Sequence, residues 1–130
     1  MDIQELRREA QTMQPQLTAD RRRLHRNPEA GAVLPETVAY VKERLTEMGY
    51  HPQELGGGLT ATVTGTDTGR CILLRADMDA LRGQEQSGLS FRSENGCMHA
   101  CGHDMHTAML LGAAQLLMQH RQELSGTVKL

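Results

Sequence analysis

Cys71-Ile72-Leu73-Leu74-Arg75-Ala76-Asp77-Met78-Asp79-Ala80, read with Ala108-Met109-Leu110-Leu111-Gly112-Ala113-Ala114-Gln115-Leu116-Leu117-Met118, decides the fold class. The first stretch opens on a short unbroken apolar run. A strand covered on both faces has no polar side to alternate with, so such a run predicts a central strand. The second stretch is apolar almost all round for at least ten residues, which predicts a buried helix. Gly112, Ala113 and Ala114 are small enough to let that helix lie close against a sheet.

Working outward, Ile3, Leu6, Ala10, Met13, Leu17 and Leu24 recur at helical spacing. Pro15 kinks or splits that helix, and Asn27-Pro28 ends it, because the residue before proline is pushed out of the helical region. A second helix runs from about Pro35 to Met48 with Val38, Val41 and Leu45 on one face, and Gly49 is its stop. Gly56-Gly57-Gly58 is a flexible turn. Leu59 to Thr64 is rich in β-branched residues, and Gly65-Thr66-Asp67-Thr68-Gly69 reads as a hairpin connection into Cys71. From Arg82 to Asn95 the chain is polar and irregular, and Gly126 to Leu130 looks like the first half of a strand. The order of elements predicts an α/β fold.

Composition narrows the function classes. A chain of 130 residues is the size of one domain, and 38% hydrophobic with 23% charged residues is a soluble globular balance. No apolar run is long enough for a transmembrane helix, and Met1-Asp2-Ile3-Gln4-Glu5 is too acidic and polar for a secretory signal. A net charge of −2 gives no electrostatic case for nucleic acid or an anionic membrane. Aromatics amount to 2% (Tyr40, Tyr50 and Phe91), too few to stack bases or line an aromatic pocket. Three cysteines without an export signal fit a reducing cytoplasm in which Cys71, Cys97 and Cys101 stay thiols.

The chemistry concentrates in Gly96-Cys97-Met98-His99-Ala100-Cys101-Gly102-His103-Asp104-Met105-His106-Thr107. Three of the six histidines and two of the three cysteines fall between residues 97 and 106. Thiolate and imidazole are natural ligands of zinc and similar ions. Cys101 and His103, two apart, diverge on a helix and converge on an extended loop, and Gly102 permits close backbone approach. Asp104 is a plausible N-cap for the buried helix. This puts the ligands at a strand-to-helix turn, where open α/β sheets place their sites. Asp77 and Asp79 fall at the carboxyl end of the apolar strand. A carboxylate there ligates a metal or holds a histidine in one tautomer.

Three stretches then carry a resemblance: Leu24-His25 with Asn27-Pro28-Glu29, Leu74 to Leu81, and Met98-His99-Ala100-Cys101-Gly102-His103-Asp104. Glu85, Gly88 and Met109 to Ala114 agree with it between the motifs. The chain resembles the M20 metallopeptidases, within them the N-acyl-amino-acid amidohydrolase branch that includes hippurate and auxin-conjugate hydrolases. The resemblance implies part of a three-layer α/β/α zinc-peptidase-like catalytic domain with a two-metal site (zinc, or manganese, nickel or cobalt). It implies cleavage of the amide bond of N-acyl amino acids or small peptides by a metal-activated water. Carried over by position, Cys101 and His103 are metal ligands, His103 the bridging one, and Asp77 orients a neighbouring ligand. Arg75 stands where many relatives have a ligating histidine. Arg82-Gly83 replaces a usual proline, and Met105 a usual small residue.

The resemblance also implies what residues 1–130 lack. The paired glutamates, one of them the general base, follow the strand that opens at Thr127, and further histidine ligands and a dimerisation domain lie beyond. On this reading the chain is the N-terminal part of the catalytic domain and does not turn over substrate alone. The family is often homo-oligomeric; here the sheet edge left unpaired is an association site.

Other roles stay open. His99 is a structural or substrate-facing donor, and His106 faces the site or serves in a cap or the core. Cys97 reads as a small, partly buried residue and Asp79 as a turn carboxylate. Arg21-Arg22-Arg23 with Arg26 reads as a solvated helix end. The alternative to an enzyme is a non-enzymatic module with Cys97, His99, Cys101 and His103 as a closed structural site. Against it, the four crowd together where structural zinc sites draw two separated pairs. A Cys101 nucleophile is weaker still, because its histidine should be distant in sequence.

Overall fold

The N-terminal stretch forms two helices in the computed structural model, which describes residues 2–67 and 69–130. The first, α1, is Ile3–Thr12, opened by Asp2, whose carboxylate accepts from the Gln4 amide at 3.0 Å. The second, α2, is Gln14–Arg26 and carries Pro15 in its first turn, where a missing N–H costs nothing. Helix α3 is Pro35–Glu47, and its first turn is held from outside: Glu29 accepts from the amides of Glu36 (3.2 Å) and Thr37 (2.6 Å). Strands β1 (Gln53–Leu55) and β2 (Gly58–Thr60) form a hairpin across Gly56 and Gly57. Both glycines have positive φ (58° and 85°), as a two-residue turn that follows strand twist requires.

The three-stranded sheet differs from the expected order. Its strands are β3 (Thr62–Thr64), β4 (Cys71–Leu73) and β7 (Thr127–Lys129), and β7 lies between the other two. Val128 pairs antiparallel with Val63 and parallel with Ile72. Gly65 to Gly69 is therefore not a hairpin connection. Gly65 and Thr66 instead donate to the carbonyls of Gly126 (2.8 Å) and Leu124 (3.0 Å), lining the approach to β7. Thr68, within the expected hairpin, and Met1, within the segment read against a secretory signal, lie outside the described residues. The reason for the order is the crossover: helix α4 (His103–Gln119) carries the chain from the end of β4 back to a parallel neighbour. Cys71–Leu73 is consequently an edge strand and not the central one, with Ile72 56% and Leu73 71% exposed.

Helices cover one face of this sheet. Leu24 (α2), Val41 and Leu45 (α3), and Leu111 and Ala114 (α4) pack on Tyr50, Ala61 and Val63, with Val128 partly buried beside them. Thr62 and Thr64 on the opposite face are exposed. Gly112 serves a different contact from the one expected. A Cβ there would stand 2.8 Å from Leu17 Cδ2, so its smallness brings α4 close to α2 and not to the sheet. Asp20, 1% exposed, joins α2 to α3 by accepting from Tyr40 Oη (2.6 Å) and Arg44 Nε (2.9 Å). The arginine run is solvated as expected, with Arg22, Arg23 and Arg26 exposed, and it also makes contacts: Arg21 and Arg22 stack over Phe91, Arg23 over Tyr40, and Arg26 donates to the Ser90 carbonyl. Among the described residues no helix is long and apolar enough to cross a membrane.

Candidate metal centre

Two chain segments meet at the carboxyl end of β4. One is the run Arg75 to Asp79 that leaves the strand; the other is the start of α4. Gly102 turns the chain into α4 at φ 82°, a conformation that favours glycine, and the helix starts at His103, earlier than the apolar run suggests. His103 and His106 are thereby three apart on a helix and share a face. Their rings stack with centroids 5.4 Å apart. Thr107 donates to the Asp77 carbonyl at 2.9 Å and fastens the strand end to the helix.

Donor geometry follows from these anchors. His103 Nδ1 lies 2.9 Å from the Asp79 carbonyl and 3.0 Å from Asp79 Oδ1. A proton on Nδ1 satisfies both oxygens and leaves the Nε2 lone pair free, the arrangement that metal-ligating histidines show. Nε2 faces Asp77 Oδ2 at 3.4 Å, and the other Asp77 oxygen takes Arg75 Nη2 at 2.5 Å. One ligand atom each from Asp77, His103 and His106 lies within 4.8 Å of the others. One carboxylate oxygen and two imidazole nitrogens suit zinc and its first-row neighbours. Asp77 and His103 are half-buried and His106 exposed, so the cluster is open to a ligand on one side.

The expected residues are distributed as follows. Asp77, His103 and His106 come together. Cys101 is exposed on the turn before Gly102 and Cys97 sits half-buried on β6 (Cys97–Met98); neither belongs to the cluster. The four residues of a closed Cys/His site do not converge among the described residues. His99 is buried, with no hydrogen-bond partner on either ring nitrogen. Burial pushes its imidazole pKa down, against a smaller opposing pull from Asp104.

Two features go beyond the sequence reading. Asp79 is a bonded support of His103 and not merely a turn carboxylate; its spacing on the strand, two beyond Asp77, was the available signal. Asp104 is not the N-cap: it is 1% exposed, and its Oδ2 takes His25 Nδ1 at 2.7 Å and Arg21 Nε at 2.8 Å. His25 Nε2 also stands 2.8 Å from Glu85 Oε1, off the line of a ring N–H bond. Burial raises the Glu85 pKa, but hydrogen bonds from Ser87 and the Ser93 amide, with the His25 ring beside it, outweigh that and bring the carboxyl down to about 2. Leu24-His25 and Glu85 stand in the quoted motifs, yet nothing in their spacing pairs them.

With this geometry in hand, the chain can be set beside known proteins. Residues 73–130 match the profile of peptidase family M20/M25/M40. The chain is 45% identical over 122 residues to the N-acetyl-L-cysteine deacetylase of Bacillus subtilis, covering 92% of this chain and 29% of that protein. It is 38% identical over 134 residues to the N-acyl-L-amino acid amidohydrolase of Geobacillus stearothermophilus, covering 99% and 36%. In structure it is similar to a dinuclear metal-binding peptidase of the M20 family from Bacillus subtilis. That match has a TM-score of 0.86 at 40% identity, over 92% of this chain and 34% of that one. The chain thus spans about a third of the length of the relatives it matches.

Proposed function

We propose that this chain, of which residues 73–130 match the profile of peptidase family M20/M25/M40, is the N-terminal part of a metal-dependent amidohydrolase acting on N-acyl amino acids or small peptides. The observation that carries the proposal is the open cluster of Asp77, His103 and His106, with His103 Nδ1 already bonded to Asp79. Relatives named for removing acyl groups from amino acids supply the substrate class.

In this reading His103 is a ligand, and so is the exposed Cys101, which stands outside the cluster and takes that role by the resemblance. Asp77 orients His103 and lies within reach of the same ion, and His106 lines the open side. A divalent ion held there supplies Lewis-acid polarisation of the scissile carbonyl and acidifies water. In this reading His99, buried with no hydrogen-bond partner on either nitrogen, serves as a substrate-facing or supporting group. No residue of this chain is assigned as general base. Glu85 is tied to His25 and Ser87, and Glu29 to the start of α3. The paired glutamates implied by the resemblance supply that role, so these 130 residues alone should not hydrolyse N-acyl amino acids.

The test is calorimetric titration of the chain with Zn²⁺, Mn²⁺, Ni²⁺ and Co²⁺, wild type against Cys101→Ala and His103→Ala. Binding that weakens in both variants supports the proposal, and the metal ranking names the ion. Binding indifferent to His103 overturns it. Tight one-to-one zinc that also needs Cys97 and His99 would establish the closed structural module instead.

A further inference from the structure

His25 is a buried, chargeable side chain that the proposed chemistry leaves unused. It lies on α2, 4% exposed, with its ring edge-on to Phe91. Its two nitrogens reach two carboxylates that belong to different pieces of the site. Nδ1 meets Asp104, the residue directly after His103, and Nε2 meets Glu85, in the segment between β5 (Leu81–Arg82) and β6. That segment continues through Cys97 and His99 to Cys101.

Helix α4 needs such a fastening. Its N-cap is Gly102, which has no side chain to cap with, so no side-chain cap bond holds the first turn. Asp104 fastens the turn in a different way, to a neighbouring helix. Its carboxylate is buried and bonded across the α2–α4 contact to His25 and Arg21. Residues 103 and 104 are adjacent, so whatever sets the direction of Asp104 sets that of His103 on the other side of the turn.

We propose that His25 is a positioning residue for the metal site: by holding Asp104 it sets the first turn of α4, and with it the directions of His103 and His106. The inference rests on the metal-site reading above. It goes beyond it by assigning a function to a side chain that touches neither ion nor substrate. Groups that support a ligand from behind are worth about tenfold to a hundredfold in metal affinity when removed.

Two substitutions separate the two ends of the ring. In His25→Asn the amide nitrogen falls near the place of Nδ1 and keeps a donor toward Asp104. In His25→Gln it falls near Nε2 and keeps a donor toward Glu85 only. Each variant of the 130-residue chain would be titrated with Co²⁺ and followed by visible absorption. The metal-free protein would be examined by imidazole ¹⁵N NMR at His103, with thermal melting alongside. The expected result is Co²⁺ affinity within about threefold of wild type for His25→Asn and at least about tenfold weaker for His25→Gln. His103 should keep its Nδ1–H tautomer signature in the first and lose it in the second. Equal behaviour of the two variants, or an affinity loss that tracks only the melting temperature, overturns the proposal. Should His25→Gln fail to fold, Asp104→Asn carries the same test, and an unchanged His103 signature there overturns it. If wild type binds no Co²⁺, the metal-site reading fails, and the metal-free His103 signature still decides the role of His25.

Discussion

The two sides of the first turn of α4 make an instructive pair. On one side Asp104, His25, Glu85 and Arg21 form a group in which all but Arg21 are less than 6% exposed, and each carboxylate stands against a basic side chain. On the other, Asp77, His103 and His106 have similar chemistry but stand at an open edge, half-buried or exposed. The enclosed cluster is largely taken up with itself, as burial demands of polar groups, although Asp104 Oδ1 and His25 Nε2 make no hydrogen bond. An open one keeps a lone pair to offer. The contrast separates the groups that would hold the proposed site from the groups proposed to form it, although they alternate along the chain.

The comparison breaks most severely at Asp104. Asp104→Ala leaves His25 and Arg21 facing an apolar gap and should cost about 4 kcal/mol of folding stability, read as a lower urea midpoint. His103→Ala should do the reverse: at a half-buried position stability should barely move, while Co²⁺ affinity falls at least about a hundredfold if His103 is the proposed ligand, the upper end of what losing a supporting group costs. A stability loss at His103 as large as at Asp104 would erase the distinction.

Acid should test the closed side alone. The Glu85 carboxyl is lowered from 4.5 to about 2 in the folded protein, so its contribution is complete above pH 4.5 and is lost as pH falls toward 2. The urea midpoint of wild type should therefore fall more steeply across that window than that of Glu85→Gln; parallel curves would show that the carboxylate contributes nothing. The smallest effect belongs to a pair outside both regions. Lys42 and Glu54, 3.0 Å apart and both well exposed, should change stability by less than about 0.5 kcal/mol on Glu54→Gln. A larger change there would mean that enclosure is not what separates the clusters.

Much of the fold was legible because its signals are local. Pro15 and Asn27-Pro28 set helix limits by removing N–H groups and excluding α conformations, and the helix at Pro35–Glu47 matches its apolar spacing. Strand order was not local. Nothing within Gly65 to Gly69 says that β7, some sixty residues on, will pair with β3 in place of β4. The candidate site divides in the same way. Clustering between 97 and 106 marked the segment, and strand-end position marked Asp77. The support of His103 by Asp79 needed two segments to be brought together, and the partner of Asp104 lies 79 residues away on α2.

By itself, then, the sequence determined which residue types are close along the chain: an α/β order of elements, a buried helix opening from a Cys/His-rich turn, and two carboxylates after an apolar strand. Tertiary structure alone decided which of those groups face inward and which face out. A helix turns about 100° per residue, so neighbours such as His103 and Asp104 point to different surroundings. Only the packing of α2 against α4 makes one of those surroundings a closed polar cluster and leaves the other open.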